Sequence, residues 1–304
     1  MGLKKFSALP LTVWVGTGLV WGTAWGVIRI GLEEMPPFVF AASRTLLAAV
    51  TVLAFVLWKE NHRRPPVREV GFWLWMGLPQ IGIPYALIFW AEQYITSSLT
   101  AMLFATFPAL TALGAHFLLK DEPLTWAKSA GTLLALFAVF WLVDPTSSST
   151  ETLWPSLAIL VASVSAALGT IMVRRHGRTT STMWITALQI SSAGIFLLGF
   201  ALVLEIGHEV NINVKSVLSV LYLAWAVTVG CYLGLFWLLK RMDATFVSMG
   251  VIFETAVGVF FGSAILGEAL GVKVFGGLGL VAVSVYLVTK PQGKRQPTLE
   301  PPVV

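Results

Sequence analysis

The chain has little charge and almost no cysteine. Only 12% of its 304 residues are Asp, Glu, Lys or Arg, whereas a soluble domain carries about 25%. Hydrophobic residues make up 57% of the chain, and the mean hydropathy is +0.81. Cys231 is the single cysteine, which excludes an intrachain disulfide and a paired-cysteine metal site. Because so few polar side chains cannot cover a water-facing surface, the composition predicts an integral membrane protein.

Catalytic signatures are also missing from the sequence. It contains no Gly-x-Ser-x-Gly, no H-E-x-x-H and no nucleotide-binding loop, and its four histidines lack the spacing of metal ligands. Asp144 and Asp243 stand only at the ends of apolar runs. The net charge of +5 is spread between apolar runs rather than along one face, which argues against nucleic acid. We therefore expect no enzyme activity, no metal, no cofactor and no nucleic-acid partner.

Long apolar runs follow one another along the chain. A helix needs roughly 20 apolar residues to cross the hydrocarbon core, and continuous runs of that length exclude the alternating pattern of barrel strands. The sequence therefore predicts an all-α bundle of ten transmembrane helices. The predicted spans are 9–30, 37–58, 70–91, 97–119, 126–143, 153–173, 183–205, 216–239, 245–266 and 273–289.

Basic residues are distributed unequally between the two sides of this bundle. With the N-terminus inside, sixteen of the twenty Lys and Arg residues fall on the inner side and three on the outer side. Such a bias predicts that both termini are cytoplasmic, in a multi-pass protein of the cell membrane (inner or plasma membrane). The polar segment 144–152 is predicted to be a linker, and the proline-rich segment 290–304 a disordered cytoplasmic tail.

The two halves of the chain resemble each other. Tyr85 to Trp90 and Tyr232 to Trp237 follow the same aromatic pattern 147 positions apart. Arg29 matches Arg174 at an offset of 145, and Glu122 matches Glu268 at 146. Residues 1–143 and 153–289 thus form two repeats of five helices. Since five is odd, the second repeat enters the membrane from the opposite side, and an inverted repeat is predicted.

Short motifs lie within these repeats. They are Trp21-Gly22-Thr23, Arg29-x-Gly31, Pro36-Pro37, Ala42-x-Arg44, Thr106-x-Pro108, Asp121-Glu122, Gly131, Glu254, Gly267-Glu268 and Gly277. Together they resemble the EamA-type domain of the drug/metabolite transporter superfamily. The resemblance implies a basket of ten helices around a central cavity, lined mainly by helices 1, 3, 4, 6, 8 and 9. Relatives often have Glu-Pro where this chain has Glu254-Thr255, so the family's kink in helix 9 is not expected here.

Glu254 is an acidic residue placed about ten residues into the ninth run. An unpaired carboxylate at this depth is costly unless it is protonated, paired or facing a wet cavity. Two interpretations carry equal weight. Glu254 is either a proton-coupling or cation-binding group, or a structural acid hydrogen-bonded to a neighbouring helix.

Aromatic residues in helices 1, 3 and 8 are candidates for the cavity wall. Helix 3 also contains Pro79, Gly82 and Pro84, and proline bends a helix and frees its carbonyl groups, so helix 3 is a candidate gate. The alternative for the aromatic residues is a belt at the membrane interface. The predicted substrate-binding residues are Trp21, Trp25, Gln80, Tyr85, Trp90, Tyr232, Trp237 and Glu254.

Other polar residues receive structural interpretations. Arg44 lies about eight residues inside helix 2 and is expected to be structural, because helix 2 is not an expected cavity wall. Glu122 and Glu268 are expected to cap or orient helices 5 and 10. Glycines spaced by four in helix 1 predict close helix packing; they are Gly18, Gly22 and Gly26.

These features favour a secondary transporter that works by alternating access, with proton coupling as a candidate energy source. The resemblance adds export of amino acids or related amphipathic metabolites. The expected partners are the lipid bilayer and a small-molecule substrate, with the chain as a monomer or homodimer. The alternatives are an intramembrane enzyme and a ligand-sensing membrane protein without transport.

Overall fold

Ten helices form the part of the chain that the structure describes. A computed structural model describes residues 8–60, 64–143, 150–268 and 271–289. The helices, numbered in chain order, are α1 Ala8–Leu32, α2 Pro37–Lys59, α3 Val67–Ala91, α4 Ser97–Leu118, α5 Trp126–Val143, α6 Thr150–His176, α7 Thr182–Leu204, α8 Val214–Leu239, α9 Ala244–Ala264 and α10 Val272–Thr289.

These bounds confirm the predicted membrane helices to within a few residues at each end. Eight of the described helices are each long and apolar enough to cross a membrane. The other two, α5 and α10, have 18 residues each and pack against one another. The Ser284 hydroxyl of α10 donates a hydrogen bond to the Gly131 carbonyl of α5 at 2.8 Å. A polar group at this helix interface is thus satisfied inside the protein, as lipid requires.

The predicted linker and tail lie largely outside the described residues. Residues 144–149 and 290–304 are not described. Helix α6 begins at Thr150, so the last three residues of the predicted linker are helical.

Contacts between the halves follow the repeat. Helices α2 and α7, which occupy equivalent positions, pack together, as do α5 and α10. Helix α1 packs on α9, and its counterpart α6 packs on α4. Helices α4 and α9 are interrupted at equivalent places, after Phe104 and after Ser248 respectively. Helix α9 is therefore discontinuous although its sequence contains no proline.

The third helix of each half contains a π-helical turn near its middle. In α3 the turn is Leu78–Gly82, and in α8 it is Leu223–Gly230. Proline lacks the N–H group that a regular helix needs, which explains the irregular turn beside Pro79 in α3. The Pro79 carbonyl accepts a hydrogen bond from the Ser165 hydroxyl of α6 at 2.8 Å. In α8, which has no proline here, the Thr228 hydroxyl instead donates to the Leu223 carbonyl at 2.7 Å.

Helix α1 approaches α9 closely along its glycine strip. A Cβ atom on Gly18 would lie 2.6 Å from the Gly250 carbonyl oxygen. A Cβ on Gly22 would lie 2.5 Å from the Val257 Cβ. Neither contact leaves room for a side chain, which confirms that the strip serves helix packing.

Glu122 and Glu268 do cap helices, as predicted, but they do not cap the predicted helices. Both carboxylates cap helix N-termini, but the capped helices are α9 and α4 rather than α5 and α10. The sequence-adjacent helix was the natural candidate. The inverted repeat instead brings the N-terminus of the fourth helix of the other half next to each carboxylate.

Candidate functional site

A central cavity lies between the two halves of the bundle. Its cavity volume is about 90 Å³, below the roughly 300–1,000 Å³ typical of small-molecule sites. Helices α1, α3, α4, α6, α8 and α9 line it, as the family resemblance implies, and α2 contributes one residue. Six of the eight predicted site residues line this cavity: Trp21, Trp25, Gln80, Tyr85, Tyr232 and Glu254.

Glu254 brings a carboxylate to this cavity from α9. It lies in the first turn after the break at the middle of that helix, and only 8% of its surface is exposed. Among the described residues, no cationic side chain lies within 4.0 Å of the carboxylate. An acid that is buried without a counter-ion is disfavoured in its charged form. Its position therefore suits either a proton or a cationic group of a solute.

Aromatic rings from three helices form one wall of the cavity. The rings of Trp21 and Tyr232 meet edge to face, with their centroids 5.6 Å apart. The rings of Tyr85 and Tyr232 are 6.4 Å apart, also edge to face. This arrangement joins α1, α8 and α3 around a surface that suits the apolar or planar part of a solute.

Trp90 and Trp237 are not among the residues that line this cavity, contrary to their predicted place. Trp90 packs on Tyr94, and the centroid of the Trp237 ring lies 3.9 Å from the guanidinium carbon of Arg241. Each Trp follows a cavity tyrosine by five residues, a step of roughly 140° around the helix and about 7.5 Å along it. Both therefore lie near helix ends, as in the alternative interpretation of an interfacial belt.

Gln80 reaches the cavity from the π-helical turn of α3. Its side-chain amide donates a hydrogen bond to the Thr170 hydroxyl of α6 at 3.3 Å. A Cβ atom on Gly169 would collide with the Gln80 side chain, so α6 approaches α3 closely at this point. Gln80 thus links a helix of each half at the cavity wall.

Arg44 lies at the cavity, although the sequence had suggested a purely structural place for it. Its guanidinium lies 4.3 Å from the centroid of the Tyr85 ring and 5.3 Å from that of Phe89. Its Nη2 donates to the Thr228 hydroxyl at 3.0 Å. Helix α2 was not expected to line a cavity, but packing of α2 on α7 and α8 turns Arg44 towards it.

A second buried acid, Glu92, was missed because it follows directly after a predicted span. It is fully buried, and neither of its carboxylate oxygens has a hydrogen-bond partner in the described part of the chain. Arg29 contacts Glu92, but through the backbone carbonyl. Glu92 does not line the cavity; it lies at the C-cap of α3, three residues beyond Phe89.

The fold and the cavity together define a helical membrane transporter with an internal inverted repeat. The model of the EamA-like transporter family matches residues 9–144 and 153–290, one match for each half. These matches cover most of the chain. The chain therefore belongs to the EamA-like transporter family.

Similar proteins carry transporter names. The "Uncharacterized transporter YoaV" of Bacillus subtilis (strain 168) is 23% identical over 282 residues, covering 90% of this chain and 94% of that protein. The "Uncharacterized inner membrane transporter YedA" of Escherichia coli (strain K12) is 26% identical over 273 residues, covering 89% and 87%. A solved structure superposes with a TM-score of 0.67 at 18% identity and covers 93% of this chain and 97% of that one. This last likeness concerns the fold alone.

Proposed function

We propose that the chain carries a small amphipathic metabolite, an amino acid or a related solute, out of the cell as a secondary transporter. The observation that carries this proposal is the cavity between the two halves, which combines aromatic walls with a buried carboxylate at Glu254. Apolar walls accommodate the body of an amphipathic solute, and a few polar groups orient it.

The symmetry of the bundle supports alternating access as the mechanism. The cavity is bounded by helices of both halves, and equivalent helices of the two halves pack on each other. Two inverted repeats can exchange conformations, so that a central site opens first to one side and then to the other. The breaks in α4 and α9 and the π-helical turns in α3 and α8 supply the places where the helices bend.

Glu254 is the group that we assign to coupling with protons. A carboxylate that exchanges a proton with each face in turn links solute movement to the proton gradient. The titratable and charged side chains around it at the cavity are Arg44, Tyr85 and Tyr232. Cys231 also interacts with it electrostatically.

We further propose that both termini are cytoplasmic, in the inner or plasma membrane. The excess of Lys and Arg on one side of the bundle supports this orientation. The relative from Escherichia coli is itself named an inner membrane transporter. Accessibility of tags at the two ends in intact and permeabilised cells tests the orientation.

The transport proposal is tested with purified protein in liposomes. Vesicles are loaded with one unlabelled amino acid at a time, and the accumulation of the same labelled amino acid is followed. A transporter gives transient accumulation by counterflow, which a sensor or an intramembrane enzyme does not give. Absence of counterflow for every amino acid and related metabolite tested contradicts the proposal.

The coupling role of Glu254 needs a separate comparison. A Glu254→Gln protein is expected to give weaker counterflow, because the amide has no charge to pair with a cationic group of the solute, and to lose the dependence of transport on a pH gradient. Glu151, an exposed acid at the start of α6, provides the control, and Glu151→Gln should keep that dependence. Transport by the Glu254→Gln protein with unchanged pH dependence removes Glu254 from the coupling step.

A further inference from the structure

Arg44 is a buried cation whose hydrogen-bonding groups are mostly unused. Its relative exposure is 1%. Only Nη2 has a partner, while Nε and Nη1 have none among the described residues. No carboxylate in the described part of the chain lies within 4.0 Å of the guanidinium. Burying such a charge without a close counter-ion is costly, and the described residues give Nε and Nη1 no acceptor.

The guanidinium is nevertheless held in a fixed position. It lies against the rings of Tyr85 and Phe89 on α3, which stabilise a cation through their π-electrons. The Thr228 hydroxyl donates its proton to the Leu223 carbonyl of the π-helical turn. Its oxygen therefore accepts the hydrogen bond from Arg44, at 3.0 Å. The π-helical turn thereby positions one corner of the guanidinium and leaves the other donors free.

A further hydrogen-bond donor of the same cavity is unpartnered. It is the indole Nε1 of Trp25, which is buried and has no partner in the described residues. Arg and Trp side chains donate but do not accept. Trp25 in α1 and Arg44 in α2 thus offer donors that no acceptor in the described residues uses.

We propose that Arg44 binds a carboxylate group of the transported solute. A guanidinium matches a carboxylate geometrically, since two parallel N–H groups meet its two oxygens. Phosphate shares this chemistry, but Arg44 is the single cationic side chain among the described residues that line the cavity. One positive charge balances a carboxylate monoanion and leaves a phosphate dianion only half neutralised. The inference rests on the proposed transport function, because it names the class of substrate.

The location of Glu254 refines this class. Glu254 lines the same cavity from α9, whereas Arg44 lines it from α2. A solute with a carboxylate, an amino group and an apolar side chain would pair with Arg44, Glu254 and the aromatic wall respectively. A zwitterionic amino acid with an apolar or aromatic side chain fits all three.

Glu92 is the competing partner for Arg44 within the protein. Its carboxylate interacts electrostatically with Arg44 from more than 4 Å away and is itself without a hydrogen-bond partner in the described residues. If Arg44 serves only to balance Glu92, then Arg44 variants affect stability but not the choice between acids and amides. The Glu92→Gln variant separates these two roles.

The experiment compares matched ligands on the purified full chain. The probes are phenylalanine and leucine, each with its carboxamide and its decarboxylated amine, in a thermal-shift titration followed by counterflow in liposomes. The wild-type protein is expected to bind each acid roughly tenfold or more tightly than its amide. Arg44→Lys should reduce acid binding roughly tenfold, because the charge remains but the two-pronged geometry is lost. Arg44→Gln should abolish the preference for acids.

Controls keep folding defects apart from lost recognition. Gln189, the buried repeat counterpart of Arg44, does not line the cavity, and Gln189→Asn should keep the preference for acids. Glu92→Gln should also keep it. Arg44→Lys provides a folded reference if Arg44→Gln is unstable, and the melting temperature without ligand identifies that case.

The outcomes separate this inference from the transport proposal. Equal binding of acids and amides by the wild-type protein, an unchanged acid preference in Arg44→Lys, or no shift with any acid overturns the carboxylate site. Loss of acid preference in Glu92→Gln to the same extent as in Arg44→Gln also overturns it, because Glu92 is then the partner. Acid binding that depends on Arg44 without counterflow of any probe supports the site and contradicts transport of these solutes.

Discussion

The carboxylates of Glu122 and Glu268 make equivalent contacts at opposite faces of the bundle. Glu122 accepts hydrogen bonds from the first two backbone N–H groups of α9, at 2.8 and 3.0 Å. Glu268 accepts them from the first two of α4, at 2.9 and 3.0 Å. Each carboxylate therefore caps a helix of the other half. The pair forms one link between the halves on each side of the central cavity.

Weakening one of these caps should favour opening of the central cavity at the face of the bundle where that cap lies. In Glu268→Gln and Glu122→Gln, an amide N–H₂ replaces one acceptor and the charge is lost, at a cost of about 1–2 kcal/mol each. The measurement uses a cysteine at the cavity residue Ala166 in a Cys231→Ser background. A membrane-impermeant maleimide should label it faster from the Glu268 face in Glu268→Gln, and faster from the other face in Glu122→Gln.

The exposed acid Glu151 provides the control for this pair. Glu151→Gln is expected to leave labelling from both faces at the rate of the parent protein. A change in the same direction for both cap variants would show that the two links do not act on opposite faces.

These caps also show which features of the fold can be predicted from the sequence and which cannot. Helix positions were predictable because length and hydropathy are local properties of about 20 residues. The partner of a cap is not local, since Glu122 binds backbone groups 122 and 123 residues away. Glu60 and Glu205 were missed for the same reason. Glu205 caps α2 at Phe38 N–H, 3.0 Å away, and Glu60 contacts the Ser181 hydroxyl before α7.

The candidate site was predictable only in part. Helix membership and the repeat identified the cavity tyrosines, but the rotation of a helix about its axis depends on packing. Arg44 faces the cavity because α2 packs on α7 and because the π-helical turn of α8 brings Thr228 to it. Neither the packing of these helices nor a π-helical turn in a segment without proline can be predicted from a single sequence.

The two sets of aromatic residues should behave differently on substitution. Trp21→Ala and Tyr232→Ala remove the edge-to-face pair at the cavity, a contact worth about 0.5–1.5 kcal/mol beyond the area that it buries. We expect transport to fall up to about tenfold with little change in protein level. Trp90→Ala and Trp237→Ala should reduce the amount of protein in the membrane and leave the transport rate per molecule unchanged. Initial rates normalised to reconstituted protein test both expectations.

Asp243 lies in a charged cluster between α8 and α9, outside the spans. Partial burial and the neighbouring Glu122 carboxylate raise the pKa of Asp243, although Arg174, whose Nη2 lies 3.3 Å away, opposes this shift. A raised pKa in the folded state means that the protonated form favours folding. That contribution is complete below the ordinary pKa and is lost as the pH rises through the folded-state value.

Replacing Asp243 should therefore not destabilise the protein at neutral pH, in spite of the lost ion pair. Asp243→Asn is expected to melt at the same or a slightly higher temperature than the wild type at pH 7, with the difference vanishing in acid. The effect is small because the side chain is 65% exposed. Asp121→Asn, which removes the neighbouring 3.2 Å contact to Arg174, serves for comparison. A clear loss of stability in Asp243→Asn at pH 7 contradicts the expected sign.

Gly22 offers a direct test of the α1–α9 contact. In Gly22→Ala, the new Cβ would lie 2.5 Å from the Val257 Cβ and 2.7 Å from the Glu254 carbonyl oxygen. Neither atom belongs to a flexible side-chain end, so α1 must move away, at a cost of about 1–3 kcal/mol. Gly16→Ala, in the same helix with nothing within 4 Å of its Cβ, is the matched control. We expect a lower melting temperature and slower transport in Gly22→Ala alone, because moving α1 also displaces Trp21 from the cavity wall. Equal behaviour of the two variants would show that this approach of the helices is unimportant for stability.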